Sequence, residues 1–366
     1  MKIKLFLIVF FVVHVVFSQK EEGINYLEKF QIPMHIRLDL RHLDYRQNSE
    51  DLQDDTRFQF SYFKIDMIGR ITKNLGARLR FSPASNGIAT NGLLSNVNLA
   101  HVDYTSDNGK WYFEVGKSFM FLGTAEQQYL GGDVYNYSII SNNLNVYKTG
   151  VTAQYTINEK QVVGFQVLNS EEDQEGAMQE LEYNAYWFGK LGDKIDTYFS
   201  GTVILGQNQK EVPYVFNGGF KFRLGDYHLD TDAAILYNFP NFYKETMYYS
   251  FPIQLAKVDG NWSPIGKYIY NIVDPKENVP VTVNGDDLLI DVAHVHTVEL
   301  GLQYYPKAGK NLRFHLVSSY TFDSDIVSYT PPNSDPNSSR FHYNAAFQII
   351  LGCRIAFDPL HGLWNR

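Results

Sequence analysis

From Phe341 to Phe357 every odd position of the chain is apolar or aromatic, ending Phe347, Ile349, Leu351, Cys353, Ile355, Phe357. The intervening positions, among them His342, Asn344, Gln348, Gly352 and Arg354, are mostly polar or small. A period of two over this length specifies a β-strand with one greasy and one wet face. The strand stops on an aromatic with only a short tail behind it. That is the pattern of the closing strand of a transmembrane barrel, its outer face in lipid and its inner face toward a lumen. On this register Cys353 faces lipid or a neighbouring subunit.

The N-terminus and the composition agree with export. Lys2 and Lys4 precede an apolar run from Leu5 to Phe17, and Val16 and Ser18 stand at the usual cleavage positions, so residues 1–18 read as a signal peptide. Its removal would take the formal charge from −8 to about −10. That argues against nucleic acid as a partner. A single cysteine excludes an intrachain disulfide framework. Aromatics form 15% of the chain, yet its mean hydropathy is slightly negative. Beyond the leader no run of about twenty apolar residues exists to make a spanning helix. A polar, tyrosine-rich, alternating chain is what a membrane barrel requires, because half of each strand faces water.

Connections alternate between short and long. Tight turns fall at 72–76, 106–109, 158–160, 192–194, 225–226 and 307–310, all rich in Asn, Asp, Gly or Lys. Longer polar or irregular stretches lie between them, at about 46–56, 82–96, 118–144, 169–180, 207–214, 240–292 and 323–340. The fold class expected is all-β: a transmembrane antiparallel β-barrel with short periplasmic turns and long extracellular loops in the outer membrane. About sixteen strands are expected, the last pair depending on whether 245–272 folds as a hairpin around Asp259-Gly260-Asn261; fourteen is the alternative. A phase shift near Tyr62 and Phe63 marks a bulge. The domain reading is signal peptide 1–18, periplasmic lead-in 19–33, barrel 34–357 and C-terminal tail 358–366. Aromatics beside the short turns (Tyr104, Trp111, Tyr155, Trp187, Phe188, Tyr198, Phe199, Tyr304, Tyr305) form an expected periplasmic girdle. A soluble β-sandwich or solenoid would also alternate, but without the one-sided loop lengths.

The third long connection is unusually apolar. Phe119, Phe121, Tyr129, Tyr135 and Tyr137 need burial, and the place available is the barrel interior, with Glu126 and Asp133 carried along. These seven residues are the expected constriction; packing of the loop on a neighbouring subunit is the alternative. Glu114-Val115-Gly116-Lys117, then Gly131-Gly132-Asp133-Val134-Tyr135, Ser138, Asn142-Asn143, Thr149-Gly150-Val151 and the run Val162 to Asn169 resemble the phosphate-selective porin O and P family, in its diverged branch. The resemblance implies a sixteen-stranded, commonly trimeric outer-membrane porin passing small anions. The loop itself holds no Lys or Arg between 118 and 144, which argues against phosphate selectivity at the constriction.

On the inward register Arg37, Arg78, Arg223, Arg313 and Arg354 all fall near periplasmic strand ends, with Arg70 as a further candidate. Two readings stand: a basic collar mildly favouring anions, or arginines paired with Asp39, Asp66, Glu114 or Glu299 to brace the wall. The function expected is passive diffusion of small hydrophilic solutes or ions through a homotrimer surrounded by outer-membrane lipid. The alternatives are a non-conducting barrel serving an envelope complex and an outer-membrane hydrolase. His294 and His296 share a strand face but lack a third ligand for zinc, so a polar rim is the expected role and no metal site is assigned. Ser318 and Ser319 near His315 are the nearest thing to a catalytic set, without an orienting partner, so no catalytic residue is assigned. No cofactor motif is present.

Overall fold

The computed structural model describes residues 30–47, 50–82, 96–170, 180–205, 211–240, 242, 245–275, 279–283, 286–290, 292–306, 311–322 and 345–359. The leader 1–18, the lead-in to residue 29, the turn 307–310, the positions 341–344 and the tail from 360 lie outside the described residues. The strands are β1 (Phe30–Gln31), β2 (Met34–Gln47), β3 (Glu50–Arg70), β4 (Leu75–Phe81), β5 (Val97–Thr105), β6 (Trp111–Phe119), β7 (Tyr147–Asn158), β8 (Gln161–Asn169), β9 (Leu181–Leu191) and β10 (Ile195–Leu205). They continue as β11 (Tyr214–Leu224), β12 (Tyr227–Tyr237), β13 (Thr246–Lys257), β14 (Trp262–Pro275), β15 (Val279–Val283), β16 (Asp286–Ile290), β17 (Ala293–Tyr304), β18 (Leu312–Thr321) and β19 (Ala345–Phe357).

Sixteen of these strands make the wall. Each from β2 to β14 pairs antiparallel with the next, β14 passes to β17, and β19 returns to β2 along thirteen residue pairs from Ala345–Arg46 to Phe357–Met34. Closure is compulsory in lipid, where an unpaired strand edge has no water to bond. The pair in doubt exists: β13 and β14 are joined at Asp259-Gly260-Asn261, Gly260 taking the positive φ of 89° that the turn needs. β15 and β16 form a separate hairpin between β14 and β17. β1 lies within the expected lead-in and pairs with Ile68 and Gly69 of β3.

Alternation sorts each strand into two faces. Phe314, Leu316, Leu300, Leu302 and Leu351 are exposed on one face, the lipid side, while Arg313, His315, Glu299, Gln303 and Arg354 are buried on the other. Cys353 is on the lipid side, opposite Leu38 and Phe314. Only part of the expected girdle faces out. Tyr104 and Trp111 are exposed, Trp111 packs on Tyr155 at 4.8 Å, Trp187 stacks on Phe199 at 5.4 Å, and Trp262 meets Tyr304 at 4.5 Å. Phe188 and Tyr198 point into the lumen, because neighbours along a strand point to opposite faces. His294 and His296 also differ from a simple rim: they stand on the lipid side with Tyr270 and Tyr268, each Nδ1 paired with a phenol at 2.7 Å.

The phase shift in β3 is a bulge. Register passes from Arg37–Tyr62 to Leu38–Phe60, leaving Ser61 as the extra residue. Tyr62 is thereby turned inward, where its ring lies against Gly131 and Gly132. The lipid face gives a direct test of orientation. Leu300→Arg, on a residue 65% exposed in mid-strand, should cost about 2–4 kcal/mol in urea unfolding from lipid vesicles; an unchanged midpoint would refute the assigned outer face.

Candidate pore constriction

The chain between β6 and β7 carries two short 3-10 turns, Glu126–Gln128 and Gly131–Asp133, and one helix, α1 (Ile139–Asn143). Ser138 caps α1, its hydroxyl accepting from the Ser141 amide. This segment lies across the inner face of the wall. Its apolar side chains Met120, Leu122, Ile139, Ile140, Leu144 and Val146 are buried against Leu168, Ile204, Val215, Leu236, Tyr248, Val273 and Val295. Burying each of the larger ones is worth about 1.5–3 kcal/mol. Lumen-facing positions of β8, β10 to β14 and β17 are therefore apolar toward the long-loop end, where water alone would have favoured polar residues.

The loop backbone is bonded to the wall along its path. Gln166 on β8 accepts from the Phe121 amide at 2.9 Å, and Asn184 on β9 donates to the Phe121 carbonyl at 3.0 Å. Gly123 donates to Ser200 Oγ at 2.8 Å, and a Cβ there would stand 2.3 Å from the backbone of β10. Asp232 on β12 accepts from the amides of Ala125 and Glu126 at 2.6 and 2.9 Å. Further on, the Ile139 amide reaches Asn271 of β14 at 3.1 Å, and Asn136 donates to Glu299 of β17 at 2.7 Å. These wall partners satisfy a buried loop backbone that strand pairing leaves open.

Each of the seven residues singled out in this loop meets the inner wall or its own loop. Phe119 packs edge-on to Phe121 and Tyr147 at 6.1 and 5.8 Å, and Phe121 lies 4.7 Å from Tyr186. Glu126 accepts from Lys267 Nζ at 2.6 Å and from the Ser138 amide and hydroxyl. Tyr129 donates to Asp230, with Lys221 over its ring at 4.2 Å. Asp133 receives Arg313 and Arg354. Tyr135 sits under Arg37 and Arg313, at 5.0 and 5.7 Å from its ring, and Lys267 lies 6.0 Å from the ring of Tyr137.

The five arginines divide three ways. Arg37, Arg354 and Arg313 are directly opposite one another on β2, β19 and β18. They converge on the loop: Arg37 donates to the Gly132 and Val134 carbonyls at 3.2 and 3.1 Å, and Arg313 to Gly132 at 2.7 Å. Arg37 also binds Asp39, which His315 approaches at 2.8 Å. Arg78 is bonded instead to Asp66, and Arg223 to Asp196. Lys267, Asp230, Asp232, Asn271 and Gln166 escaped the sequence reading. The inward register of β8, β12 and β14 would have placed them in the lumen, but nothing local names their loop partners.

A buried ion pair is most sensitive to losing one member. Glu126 and Lys267 side chains are each 3% exposed, so Lys267→Met should cost about 3–5 kcal/mol. Lys267→Met combined with Glu126→Gln should recover much of it, a coupling readable as a double-mutant cycle in denaturant midpoints. Additive losses would mean that the two groups do not share one buried site.

The fold and the loop can now be set beside known proteins. Residues 30–195 match the family model described as phosphate-selective porin O and P. No curated protein matches the sequence. The outer membrane channel DcaP of Acinetobacter baumannii superposes with a TM-score of 0.62 at 11% identity, over 90% of this chain and 97% of that one. The anion-selective porin from Comamonas acidovorans gives 0.61 at 11% identity, over 90% and 99%. OmpT, an outer-membrane protein of Vibrio cholerae, gives 0.57 at 12% identity, over 90% and 97%. At such identities the likeness speaks for the fold, and the family match adds the first half of the wall with its inserted loop. This chain is a porin-like outer-membrane β-barrel resembling the phosphate-selective porin O and P family over residues 30–195.

Proposed function

We propose that the chain is an outer-membrane porin through which small hydrophilic solutes or ions diffuse passively. The observation that carries this reading is the loop between β6 and β7, bonded to opposite parts of a closed sixteen-stranded wall: Gln166 and Asn184 of β8 and β9 on one side, Arg313, Arg354 and Arg37 of β18, β19 and β2 on the other. A loop fixed at both sides of a lumen narrows it without needing to move, which turns a wide pipe into a size filter. A homotrimer is the assembly we favour, since a trimer form is recorded for the Vibrio cholerae protein of like fold. No enzymatic step is part of this reading: although Asp39 holds His315, Ser318 lies on the opposite face of the strand and Ser319, on the same face, stands four positions along it, roughly 13 Å away.

A second reading, a barrel that conducts little and serves as a binding or structural component, draws on the apolar filling of one sector of the lumen. Tyr248, Ile269 and Val273 on its inner face are each 1% exposed. Purified protein in a planar bilayer separates the two. Discrete conductance steps are expected, and replacing residues 124–137 by a short glycine-serine linker should raise their size about twofold or more. A silent bilayer from correctly folded protein would overturn the porin reading in favour of the closed barrel.

A further inference from the structure

A passage through the barrel gives no role to the two histidines on its outside. His294 and His296 project from β17 toward lipid, beside Tyr268 and Tyr270 of β14. The four rings form one stack. His294 lies on Tyr270 at 6.0 Å, Tyr270 on His296 at 4.7 Å and His296 on Tyr268 at 6.1 Å, all within 27° of parallel. Each imidazole meets a phenol at Nδ1, 2.7 Å away. The phenol is the better donor of such a pair, so its hydrogen lies toward Nδ1 and the imidazole carries its own on Nε2. Neither Nε2 has a partner among the described residues. The stack therefore turns two N–H donors toward the surrounding lipid.

Depth along the strand decides what those donors meet. Trp262 and Tyr304 pack together beside the short turn Asp259-Gly260-Asn261, at the periplasmic edge of this part of the wall. From Tyr304 the strand climbs eight residues to His296 and ten to His294. With the tilt of a membrane strand this is a height of about 20–25 Å, and the outward apolar band of such barrels is about 25 Å tall. The imidazoles thus stand at its outer edge, where acyl chains give way to head groups. Below them the exposed side chains are apolar: Val298, Leu300 and Leu302 on β17, Phe314 and Leu316 on β18. Tyr320 of β18 is opposite Val298 and 38% exposed, adding a phenol to the same level. Asp274, the acid on this face of β14, is one step beyond the Val273–Ala293 pair, roughly 13 Å along the wall from His296.

We propose that His294, His296 and Tyr320 bind the phosphate of an outer-leaflet lipid whose acyl chains lie on Val298, Leu300 and Leu316. Bare acyl chains, or the apolar face of another barrel, would leave both imidazole donors without an acceptor. A lipid phosphate at the head-group level supplies charged oxygens to them, in surroundings dry enough to strengthen each bond. Tyr268 and Tyr270 are positioning residues: by occupying Nδ1 they fix the tautomer and hold each ring with Nε2 outward. The site belongs to the outer wall, so it stands whether or not the barrel conducts.

The test is native mass spectrometry of the detergent-purified protein, titrated with dioleoyl phosphatidic acid and, separately, with dioleoylglycerol, the same lipid lacking phosphate. Heat-modified gel migration checks that each variant is folded. The parent should hold phosphatidic acid about tenfold more tightly than dioleoylglycerol. His294→Leu with His296→Leu should remove most of that margin and leave dioleoylglycerol binding unchanged. His294→Arg with His296→Arg, which keeps donors at the interface, should restore it. Tyr268→Phe with Tyr270→Phe should narrow the margin, which a merely structural role for the phenols would not do. Equal affinity of the parent for the two lipids, or an undiminished margin in the folded leucine variant, would overturn the site. Displacement of the lipid by an equal concentration of inorganic phosphate would overturn it in favour of a free anion, and exclusion of the lipid from an oligomer that binds it as a monomer would give this face to a second copy of the chain.

Discussion

Three arginines stand side by side across the seam that closes this barrel. Arg354 of β19 is directly opposite Arg37 of β2 on one side and Arg313 of β18 on the other. Like charges in cross-strand register oppose strand pairing. What makes the row tolerable is the turn Gly131–Asp133, which brings a carboxylate to two of them and carbonyls to Arg37 and Arg313. Asp39 adds a second carboxylate beside Arg37. Closing the wall and seating the loop are thus parts of one electrostatic arrangement: the seam supplies cations that the loop needs, and the loop supplies the acceptors that the seam needs.

The rest of the loop follows from that anchorage. Once Asp133 is fixed at the seam, its two arms must cross the lumen, and their amides and apolar side chains must find partners there. One arm bonds to Gln166, Asn184, Ser200 and Asp232; the other seats α1 against Ser250 and Asn271. Around these bonds lies a packed apolar cluster like the core of a soluble domain, enclosed by a wall whose other face meets lipid. The interior is in consequence uneven. One sector is dry and filled, while β3 to β5 present charged side chains that keep partial contact with water, such as Arg78 and Asp103.

Much of the fold was legible because a strand writes its two environments in alternate letters. The odd and even faces of β19, the turn at Asp259-Gly260-Asn261 and the apolar loop after β6 all follow from local pattern. Partnerships were not legible. Arg37 and Arg354 share a row because β19 meets β2 in one register, and nothing in either segment states it. Lys267 belongs to Glu126 for the same reason, across 141 positions of chain. The expected girdle was too generous where consecutive aromatics were counted together, since Trp187 and Phe188 occupy opposite sides of one strand. Arg78 and Arg223 fit the collar by depth in the strand, but their angular position around the barrel gives them to Asp66 and Asp196.

The extra residue in β3 has a reach well beyond its own position. Because Ser61 is one residue too many, the segment upstream and the segment downstream obey opposite parities. Phe58 and Phe60 meet lipid on even numbers, while Phe63, Ile65 and Met67 do so on odd ones. Ser61 is therefore a phase marker for the wall, much as a stutter sets phase in a coiled coil. Removing that single residue would leave the composition of β3 almost untouched, yet it would exchange inside for outside along everything that follows to the next turn. Lys64, Asp66 and Arg70 would enter hydrocarbon together, and the lumen would inherit a stripe of grease.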